Sequence, residues 1–161
     1  MSKMTDYTIE NGVPQAVRVR TQAFGELSAR ELYEILKVRA EVFIMEQQCR
    51  YQDMDDRDFD ATHVTLLDGS DIVAYARVFS EGHPDAWHIG RVLTVRRGVG
   101  YGIPLMQAAI GVAREAGARY VEIDSQSYAV GFYEKVGFRV VSHEEYLIDG
   151  ILHKRMRLQF S

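Results

Sequence analysis

A glycine-rich turn carries the clearest chemical signal in the sequence. Glycines stand at positions 98, 100 and 102, between an apolar stretch and a segment of helical periodicity. The first amides of a helix lack partners within the helix and carry part of a positive charge, so a turn of this kind favours an anion. Glycines let phosphate oxygens approach the backbone, and Arg97 adds a fixed charge with forked donors. The spacing alone is equally compatible with a tight turn that binds no ligand.

Two common nucleotide-binding motifs fit this turn poorly. In the dinucleotide fingerprint the third glycine follows the second by three positions, whereas Gly102 follows Gly100 by two. The Lys-Ser/Thr pair of the phosphate loop in nucleoside triphosphatases is also missing from the sequence. Pro104 lacks an amide, but the first turn of a helix tolerates this loss. The turn is therefore a general candidate for binding phosphate.

An acidic segment and two arginines form a second group of candidates. The acidic segment contains five aspartates, Asp53, Asp55, Asp56, Asp58 and Asp60. Such a run usually forms a solvated loop, although it could attract a cationic ligand. A calcium loop is not expected, because glycine is missing at the sixth position and glutamate at the twelfth, and we predict no metal site. Arg77 and Arg91 lie inside predicted strands, where each either binds an acidic ligand or pairs with carboxylates of the core.

Composition indicates an ordinary globular chain and excludes several classes of partner. The 161 residues are 47% hydrophobic and 26% charged, which suits one domain spanning residues 1–161. A net charge of -4 argues against a general nucleic-acid binder, whose affinity comes from many cationic contacts to phosphate. No apolar stretch is long enough for a bilayer and no signal peptide is recognisable. Cys49, the only cysteine, has no disulfide partner, so we expect a cytoplasmic protein in which this thiol is a structural or surface group and not a nucleophile.

The first part of the chain is predicted to contain a single helix. Residues 1–14 have little periodicity, so we expect a loose lead-in there. Ser28 and Glu31 fit a capping box, and apolar residues at helical spacing predict a helix that runs from there to about Gln47. The polar segment over residues 48–61 is expected to be irregular or only briefly helical.

The rest of the chain is predicted to alternate strands and helices. Strands are predicted over residues 63–67, 72–79, 87–95, 120–125, 138–146 and 151–160. Helices are predicted directly after the glycine turn and around 129–135, and residues 81–86 are expected to form a loop. Asp-Gly pairs at 68–69 and 149–150 suit hairpin turns. This order implies an α+β or α/β domain, in which a mixed sheet is flanked by helices.

Two motifs resemble those of a known superfamily. The segment Arg97-Gly98-Val99-Gly100-Tyr101-Gly102 resembles the Arg/Gln-x-x-Gly-x-Gly/Ala motif of the GNAT acetyltransferase superfamily. The segment Phe132-Tyr133-Glu134-Lys135-Val136-Gly137-Phe138 is similar to the other familiar segment of that superfamily, one strand after the glycine helix. Two motifs in the right order and spacing are much more specific than either one alone.

Further segments are similar to ElaA-type acetyltransferases. They are Leu32-Tyr33 to Arg39, Glu41-Val42-Phe43, Glu46-Gln47, Tyr75-Ala76-Arg77, Ile89-Gly90-Arg91-Val92 and Asp149-Gly150-Ile151-Leu152-His153. The resemblance runs from Phe24 to Met156. The stretch from Val92 to Arg97 is shorter than usual and lacks a frequent proline, which leaves the register of contacts at residues 93–95 open.

The resemblance implies a fold, a co-substrate and a set of contacts. It implies a GNAT-like acyl-CoA N-acyltransferase fold, in which the sheet splays so that the arm of acetyl-coenzyme A lies between two central strands. It also implies that a neutral primary amine of a small molecule or peptide attacks the thioester directly, while a backbone amide stabilises the oxyanion. The residues that it assigns to the cofactor are Leu93, Thr94, Val95, Arg97, Gly98, Val99, Gly100, Tyr101, Gly102, Ile103, Gln126 and Tyr133.

The resemblance assigns an acid, and the base is chosen among several groups. Tyr133 is expected to protonate the leaving thiolate, because a thiol has a pKa near ~8.5 and a tyrosine near ~10. We choose Glu46 as the base, since it ends the first predicted helix beside the region that lines the acceptor cleft in this superfamily. His63, Glu122 and His153 are the alternatives, and water could also carry the proton away.

Other classes of function stay open at the level of sequence. One is a non-catalytic acyl-coenzyme A-binding or interaction module with the same fold, against which Tyr133 favours an enzyme. Another is a transferase that uses a carrier-protein thioester, for which the sequence shows no obvious basic patch. The sequence does not determine the acceptor, the acyl chain or the oligomeric state, a homodimer included.

Overall fold

The chain folds around one nine-stranded mixed sheet. A computed structural model describes residues 2–9 and 15–161. Its strands are β1 (Lys3–Ile9), β2 (Gln15–Ala23), β3 (Thr62–Asp68), β4 (Asp71–His83), β5 (Ala86–Thr94), β6 (Tyr120–Gln126), β7 (Arg139–Val140), β8 (Tyr146–Ile148) and β9 (Ile151–Gln159). Its α-helices are α1 (Ala29–Arg39), α2 (Gly102–Glu115) and α3 (Val130–Lys135). In this described part of the chain, no helix is long and apolar enough to cross a membrane.

The strand order brings β5 and β6 together at the centre of the sheet. The order is β1-β2-β3-β4-β5-β6-β9-β7, and β8 pairs with β9. Neighbouring strands are antiparallel except β5 and β6, which are parallel. The helix α2 forms the crossover between these two strands, as a parallel pair requires. The predicted mixed sheet with flanking helices is therefore confirmed.

The two faces of the sheet bury different helices. On one face, α2 packs its apolar stripe against the central strands through Leu105, Met106, Ala109, Ile110 and Ala113. On the other face, Ile35 and Val38 of α1 pack against Tyr75 and Leu93. Successive side chains of a strand point to opposite faces, so strands covered in this way are apolar on both sides.

The first helix begins as its sequence predicts and changes its winding before it ends. The amide of Glu31 donates to Ser28 Oγ at 3.0 Å, and the amide of Ser28 donates to Glu31 Oε1 at 2.9 Å, which completes the capping box. The α-helix ends at Arg39 and continues as a π-helical stretch over Ala40–Glu46. Single π turns are frequent at functional sites, and this one leads directly into the cavity described below.

The N-terminal prediction of a loose lead-in is wrong for the residues that can be checked. Lys3–Ile9 is strand β1, and Gln15–Ala23 is strand β2, for which no prediction was made. Of β1 only Ile9 is buried, because β1 is an edge strand that offers one side to solvent. That is why its apolar periodicity is weak. Residue 1 and residues 10–14 lie outside the described part of the chain.

Two further boundaries differ from the prediction. Strand β4 extends to His83, which shortens the loop expected over residues 81–86. The strand predicted over 138–146 is divided into β7 and β8. The amide of Arg155 donates to Ser142 Oγ at 2.9 Å, so a side chain replaces the backbone acceptor there and the ladder is interrupted.

Candidate functional site

The central feature of the site is an opening between β5 and β6. The two strands pair only where they begin, through Ala86 with Tyr120, Trp87 with Val121, and His88 with Glu122. Each strand continues beyond these pairs, while its pairing with the neighbour on its outer side is kept. The sheet therefore parts along a line that begins after His88, and each strand presents an unpaired edge to the gap.

A β-bulge lies on β5 where the strand borders the opening. Tyr75 of β4 is opposite Leu93, whereas Arg77 is opposite Gly90, so two residues of β5 stand against one residue of β4. Arg91, one of the two, has a φ of 50°, which residues other than glycine seldom adopt. A bulge bends its strand and re-aims the groups next to it. Here the bulge bends β5 where its pairing with β6 has already ended.

Beyond the bulge, the backbone of β5 points alternately to β4 and to the opening. The amide of Val95 donates to the carbonyl oxygen of Val73 on β4 at 2.9 Å. Alternate residues of a regular antiparallel strand direct their amides to opposite sides, so Thr94 directs its amide toward the opening. Of the residues predicted at the cofactor, Leu93 and Val95 are therefore turned to β4, and only Thr94 offers its backbone to the gap.

A cavity of about 300 Å³ lies in the opening, and we call it the main cavity. Residues 88–92 of β5 form one wall, the end of β6 forms another, and the π-helical stretch and the β8–β9 turn close the sides. Eight of its lining residues carry carboxyl, imidazole, thiol or phenol groups that can act in catalysis: Cys49, Tyr51, His88, Asp124, Tyr128, Tyr133, Asp149 and His153. The cofactor-binding residues that are expected between positions 93 and 103 do not line this cavity. Any contact that they make to a ligand lies outside it.

The glycine turn leads into α2 with the backbone shape that the sequence predicts. Gly98 has a φ of 76° and Gly100 a φ of 94°, values that only glycine adopts without strain. A Cβ on Gly102 would lie 2.7 Å from a ring atom of Phe132, so this glycine lets the start of α2 pack against α3. The N-cap residue Tyr101 makes no side-chain hydrogen bond to the helix. The start of α2 thus has the properties of an anion site.

The side chain of Arg97 connects this turn to the main cavity. Its Nη2 lies 3.4 Å from the hydroxyl of Tyr128, and its guanidinium lies 5.5 Å from the centre of that ring. Tyr128 in turn lines the main cavity. Gln126, another predicted contact, lines the cavity at the end of β6 and donates to Gln47 Oε1 at 3.1 Å. Ile103 is partly exposed on the first turn of α2.

Tyr133 lies on the wall of the main cavity, packed between two aromatic rings. Its ring is 5.2 Å from that of Phe132 and 6.1 Å from that of Phe138. Burial raises the pKa of Tyr133, and the nearby Tyr128 adds to this effect. Its hydroxyl is therefore protonated throughout the neutral pH range, which is the state that a proton donor needs.

The four residues considered as bases lie in different environments. Glu46 is exposed at the end of the π-helical stretch and is not part of the cavity lining, where its neighbour Gln47 stands instead. His63 is fully buried, with Nδ1 2.6 Å from the hydroxyl of Tyr75 and Nε2 3.0 Å from a backbone carbonyl, so both ring nitrogens are engaged. Glu122 is buried and pairs with Arg157 at 2.9 Å. Glu46, His63 and Glu122 therefore do not line the main cavity.

His153 is the one of the four that lines the main cavity. Its Nδ1 lies 2.7 Å from the carbonyl oxygen of Ile151. A carbonyl oxygen only accepts hydrogen bonds, so Nδ1 carries the hydrogen and Nε2 of the neutral ring has a free lone pair. The ring is stacked on Tyr146 with its centre 6.4 Å away, which holds its orientation.

Cys49 is buried on the wall of the main cavity and is not a surface group. Burial raises the pKa of its thiol, and the charge of Asp149 acts in the same direction. The thiol is therefore protonated at neutral pH, whereas a nucleophilic cysteine needs a lowered pKa.

The acidic segment is not the solvated loop that its composition predicts. Asp53, Asp55 and Asp58 pair with three arginines, whereas Asp56 and Asp60 are exposed. The arginines come from three distant elements, Arg39 at the end of α1, Arg77 on β4 and Arg91 on β5. Of the two interpretations of Arg77 and Arg91, pairing with carboxylates is confirmed.

These ion pairs fasten the segment after the π-helical stretch to the sheet. Arg39 is fully buried and contacts Asp53 at 3.0 Å and Asp58 at 2.7 Å. Although burial opposes it, hydrogen bonding to Arg77 lowers the pKa of Asp55 to about 2. Within the described ranges, no group of three or more His, Cys, Asp or Glu side chains is arranged to hold a metal ion.

Sequence reasoning does not single out His88 or its neighbour Asp124, and both line the main cavity. His88 is the last residue of β5 that pairs with β6. Its Nε2 lies 3.7 Å from Asp124 and its Nδ1 lies 3.4 Å from Glu81. Burial lowers the pKa of His88 to about 4, against the effect of Asp124. A histidine inside a strand carries no motif, so only the end of the β5–β6 pairing reveals its place.

Comparisons with known proteins agree with this geometry. A family profile described as an acetyltransferase (GNAT) domain matches residues 21–160. A UPF0039 protein of Schizosaccharomyces pombe is 37% identical over 141 residues, which cover 84% of this chain and 93% of that protein. The crystal structure of Escherichia coli ElaA has 32% identity and a TM-score of 0.82, and covers 89% of this chain and 99% of its own. An acyl-CoA N-acyltransferase from Pseudomonas aeruginosa has 32% identity and a TM-score of 0.81, over 88% and 99% of the two chains.

An opened mixed sheet beside a glycine turn, with these structural neighbours, defines the acyl-CoA N-acyltransferase fold. The chain belongs to the GNAT acetyltransferase family, and its relatives are of the ElaA type. This fold implies a coenzyme A thioester as co-substrate.

Proposed function

We propose that the chain is an N-acetyltransferase that moves the acetyl group of acetyl-coenzyme A to a primary amine by direct attack. The observation that carries the proposal is the opening between β5 and β6, with the main cavity inside it and Tyr133 on the wall. An extended pantetheine arm would add to the unpaired edge of β5 like another strand, through the backbone of Thr94. The diphosphate would lie at the start of α2, beside Arg97.

Tyr133 is the proton donor in this proposal. The thiolate leaves in a buried place, where desolvation raises the proton affinity of the sulfur as it does that of the tyrosine. The raised pKa of Tyr133 is therefore compatible with proton transfer, because both groups experience the same environment. Val92 lines the main cavity, and its backbone amide is the donor that we assign to the oxyanion.

His153 replaces Glu46 as the base in this proposal. Its Nε2 has a lone pair, and the residue lines the main cavity, whereas Glu46 is exposed outside it. His88 lines the same cavity, but a pKa of about 4 makes it a weak base near neutral pH. The amine would lose its proton to His153 as its nitrogen bonds to the carbonyl carbon. The C–S bond would then break, and the thiolate would take a proton from Tyr133. The imidazolium of His153 would lose its proton to water and the phenolate of Tyr133 would regain one, which restores the enzyme.

Direct attack needs no acyl-enzyme, and the state of Cys49 supports this. Burial keeps its thiol protonated, so it is a poor nucleophile although it lines the cavity. We expect Cys49→Ala to stay active, with kinetics of a ternary complex. Ping-pong kinetics, or an acetylated Cys49 detected by mass spectrometry, would contradict direct attack.

The test of function is release of free thiol from acetyl-coenzyme A in the presence of different amines. The panel contains polyamines, amino acids, aminoglycosides and peptides. We expect acceptor-dependent thiol release and an N-acetylated product identified by mass spectrometry. Tight binding of coenzyme A without transfer to any amine would instead indicate a non-catalytic acyl-coenzyme A-binding module.

A further inference from the structure

A second cavity adjoins the main cavity on the α1 face of the sheet. It measures about 240 Å³ and shares His88, Gly90, Arg91 and Asp124 with the main cavity. Its other lining residues are Asp55, Arg57, Arg77, Phe79, Glu81 and Arg155. A molecule whose amine lies in the main cavity would therefore extend past His88 into this second cavity. Seven of the ten lining residues of the second cavity are charged, so a polar acceptor suits it better than an apolar one.

Three of the four arginines in the second cavity are paired within the protein. Arg77 contacts Asp55 at 2.6 Å, and Arg91 contacts the same carboxylate at 3.4 Å. Arg155 contacts Asp124 at 3.3 Å. Carboxylates of the protein thus neutralise these three arginines, and the ion pairs stabilise the surrounding segments.

Arg57 differs from the other three. Among the residues that the structure describes, no carboxylate pairs with its guanidinium, although its backbone amide donates to Asp55. The guanidinium lies over the buried ring of Phe79, 5.0 Å from the ring centre. Stacking of this kind holds the plane of a guanidinium and leaves the N–H groups at its edge available for an anion.

Four arginines and three carboxylates line the second cavity, so its charged side chains carry a net positive charge that favours an anion. Burial lowers the pKa of His88, and Arg155, Arg57 and Arg77 lower it further, while Asp124 opposes them. Glu81 also lines the second cavity, but its carboxylate lies beside Nδ1 of His88. Within the described part of the chain, Arg57 is therefore the cation of the second cavity that has no carboxylate partner, and its charge acts on His88 at the border of the main cavity.

We infer that the second cavity is a subsite for a carboxylate of the acceptor and that Arg57 binds this carboxylate. The inference rests on the proposed function and gives it a substrate class. The acceptor is an amino acid, whose amine reaches the main cavity while its carboxylate pairs with Arg57. A guanidinium binds a carboxylate through two parallel N–H groups, which also orients the amine toward the thioester.

The test compares acceptors that differ only in the carboxylate. Thiol release from acetyl-coenzyme A is measured with a series of amino acids and with the carboxamide of each. We expect kcat/KM of the wild type to be about tenfold higher for the better amino acids than for their carboxamides. In Arg57→Gln this preference should fall to near one, mainly through a higher KM for the amino acid, and Arg57→Lys should keep part of it. Arg139→Gln, which changes an exposed arginine on β7, is the matched control.

Several outcomes would overturn the subsite. Equal kcat/KM for amino acids and carboxamides in the wild type would do so, as would an unchanged preference in Arg57→Gln. Turnover confined to diamines, or turnover of neither series by a protein that binds coenzyme A, would also exclude a carboxylate subsite. Absence of coenzyme A binding would be a different result, because it contradicts the proposed function itself.

Discussion

Burial decides which groups of the main cavity hold a proton at neutral pH. It raises the pKa of both Tyr133 and Cys49, so both are protonated. It lowers the pKa of His88 to about 4, so this ring is neutral. A protonated acid, a neutral imidazole and an unreactive thiol together suit a reaction in which protons move but the enzyme forms no covalent bond.

Replacement of Tyr133 by phenylalanine tests the proton donor. Because only the hydroxyl is removed, the ring still packs against Phe132 and Phe138. General acid catalysis is typically worth ~10² to 10⁴ in rate, so we expect kcat to fall by at least about a hundredfold while coenzyme A affinity changes little. Steady-state kinetics with the best acceptor measure this. Tyr33→Phe, at an exposed position of α1, is the control, and equal kcat for both variants would exclude Tyr133 as the acid.

The lowered pKa of His88 predicts how stability depends on pH. Between its ordinary value of 6.5 and about 4, the unfolded chain binds a proton at this residue and the folded chain does not. The free energy of unfolding should therefore fall as the pH is lowered through this window. Urea unfolding at several pH values should show a shallower dependence for His88→Gln than for the wild type. Parallel curves would mean that His88 is not kept neutral by folding; Asp55, with its pKa lowered to about 2, contributes mainly below this window.

At the scale of elements, a buried ion pair network holds the segment that closes the main cavity. Arg39 has no exposed surface and contacts both Asp53 and Asp58. Removal of one partner from a buried pair leaves uncompensated charge and typically costs about 3–5 kcal/mol. We expect Arg39→Ala to lower the free energy of unfolding by this amount in urea denaturation. Arg30→Ala, at an exposed position of the same helix, should change it by less than about 0.5 kcal/mol, and equal effects would show that the network does not stabilise the fold.

Local signals in the sequence predict individual helices and turns well. They do not predict which side chains of distant elements come into contact. The capping box at Ser28 depends on residues three apart, and the Asp68-Gly69 turn depends on two adjacent residues, so both are found where expected. The arginines that pair with Asp53, Asp55 and Asp58 come from α1, β4 and β5, and no spacing rule connects them. The acidic run therefore predicts a solvated loop, although three of its five aspartates pair with arginines and hold the segment on the sheet.

The site was predicted in part for the same reason. The glycine turn and Tyr133 belong to continuous motifs, and Tyr133 lies on the cavity wall. The base depends on which side chains three separate elements bring to the opening, which a single sequence does not reveal. Glu46 and Gln47 are adjacent, yet only Gln47 lines the cavity, because successive residues of a helix point in different directions.

For the whole molecule, the order of the elements determines where the sheet opens. The crossover through α2 makes β5 and β6 parallel neighbours, their pairing ends after three residues, and a bulge at Arg91 bends β5 beside the opening. The glycine turn stands between β5 and α2, so a phosphate at the start of α2 and a thioester in the opening can belong to one extended molecule. The central claim is that coenzyme A binds in this way.

Calorimetric titration with coenzyme A, and with pantetheine, which lacks the diphosphate, tests this claim most directly. The wild type should bind coenzyme A far more tightly than pantetheine, because only coenzyme A reaches Arg97 and the start of α2. Arg97→Gln should weaken coenzyme A binding about tenfold and leave pantetheine binding unchanged, while the neighbouring Arg96→Gln should have a smaller effect. Equal affinities of the wild type for the two ligands, or loss of pantetheine binding in Arg97→Gln, would contradict the placement of coenzyme A.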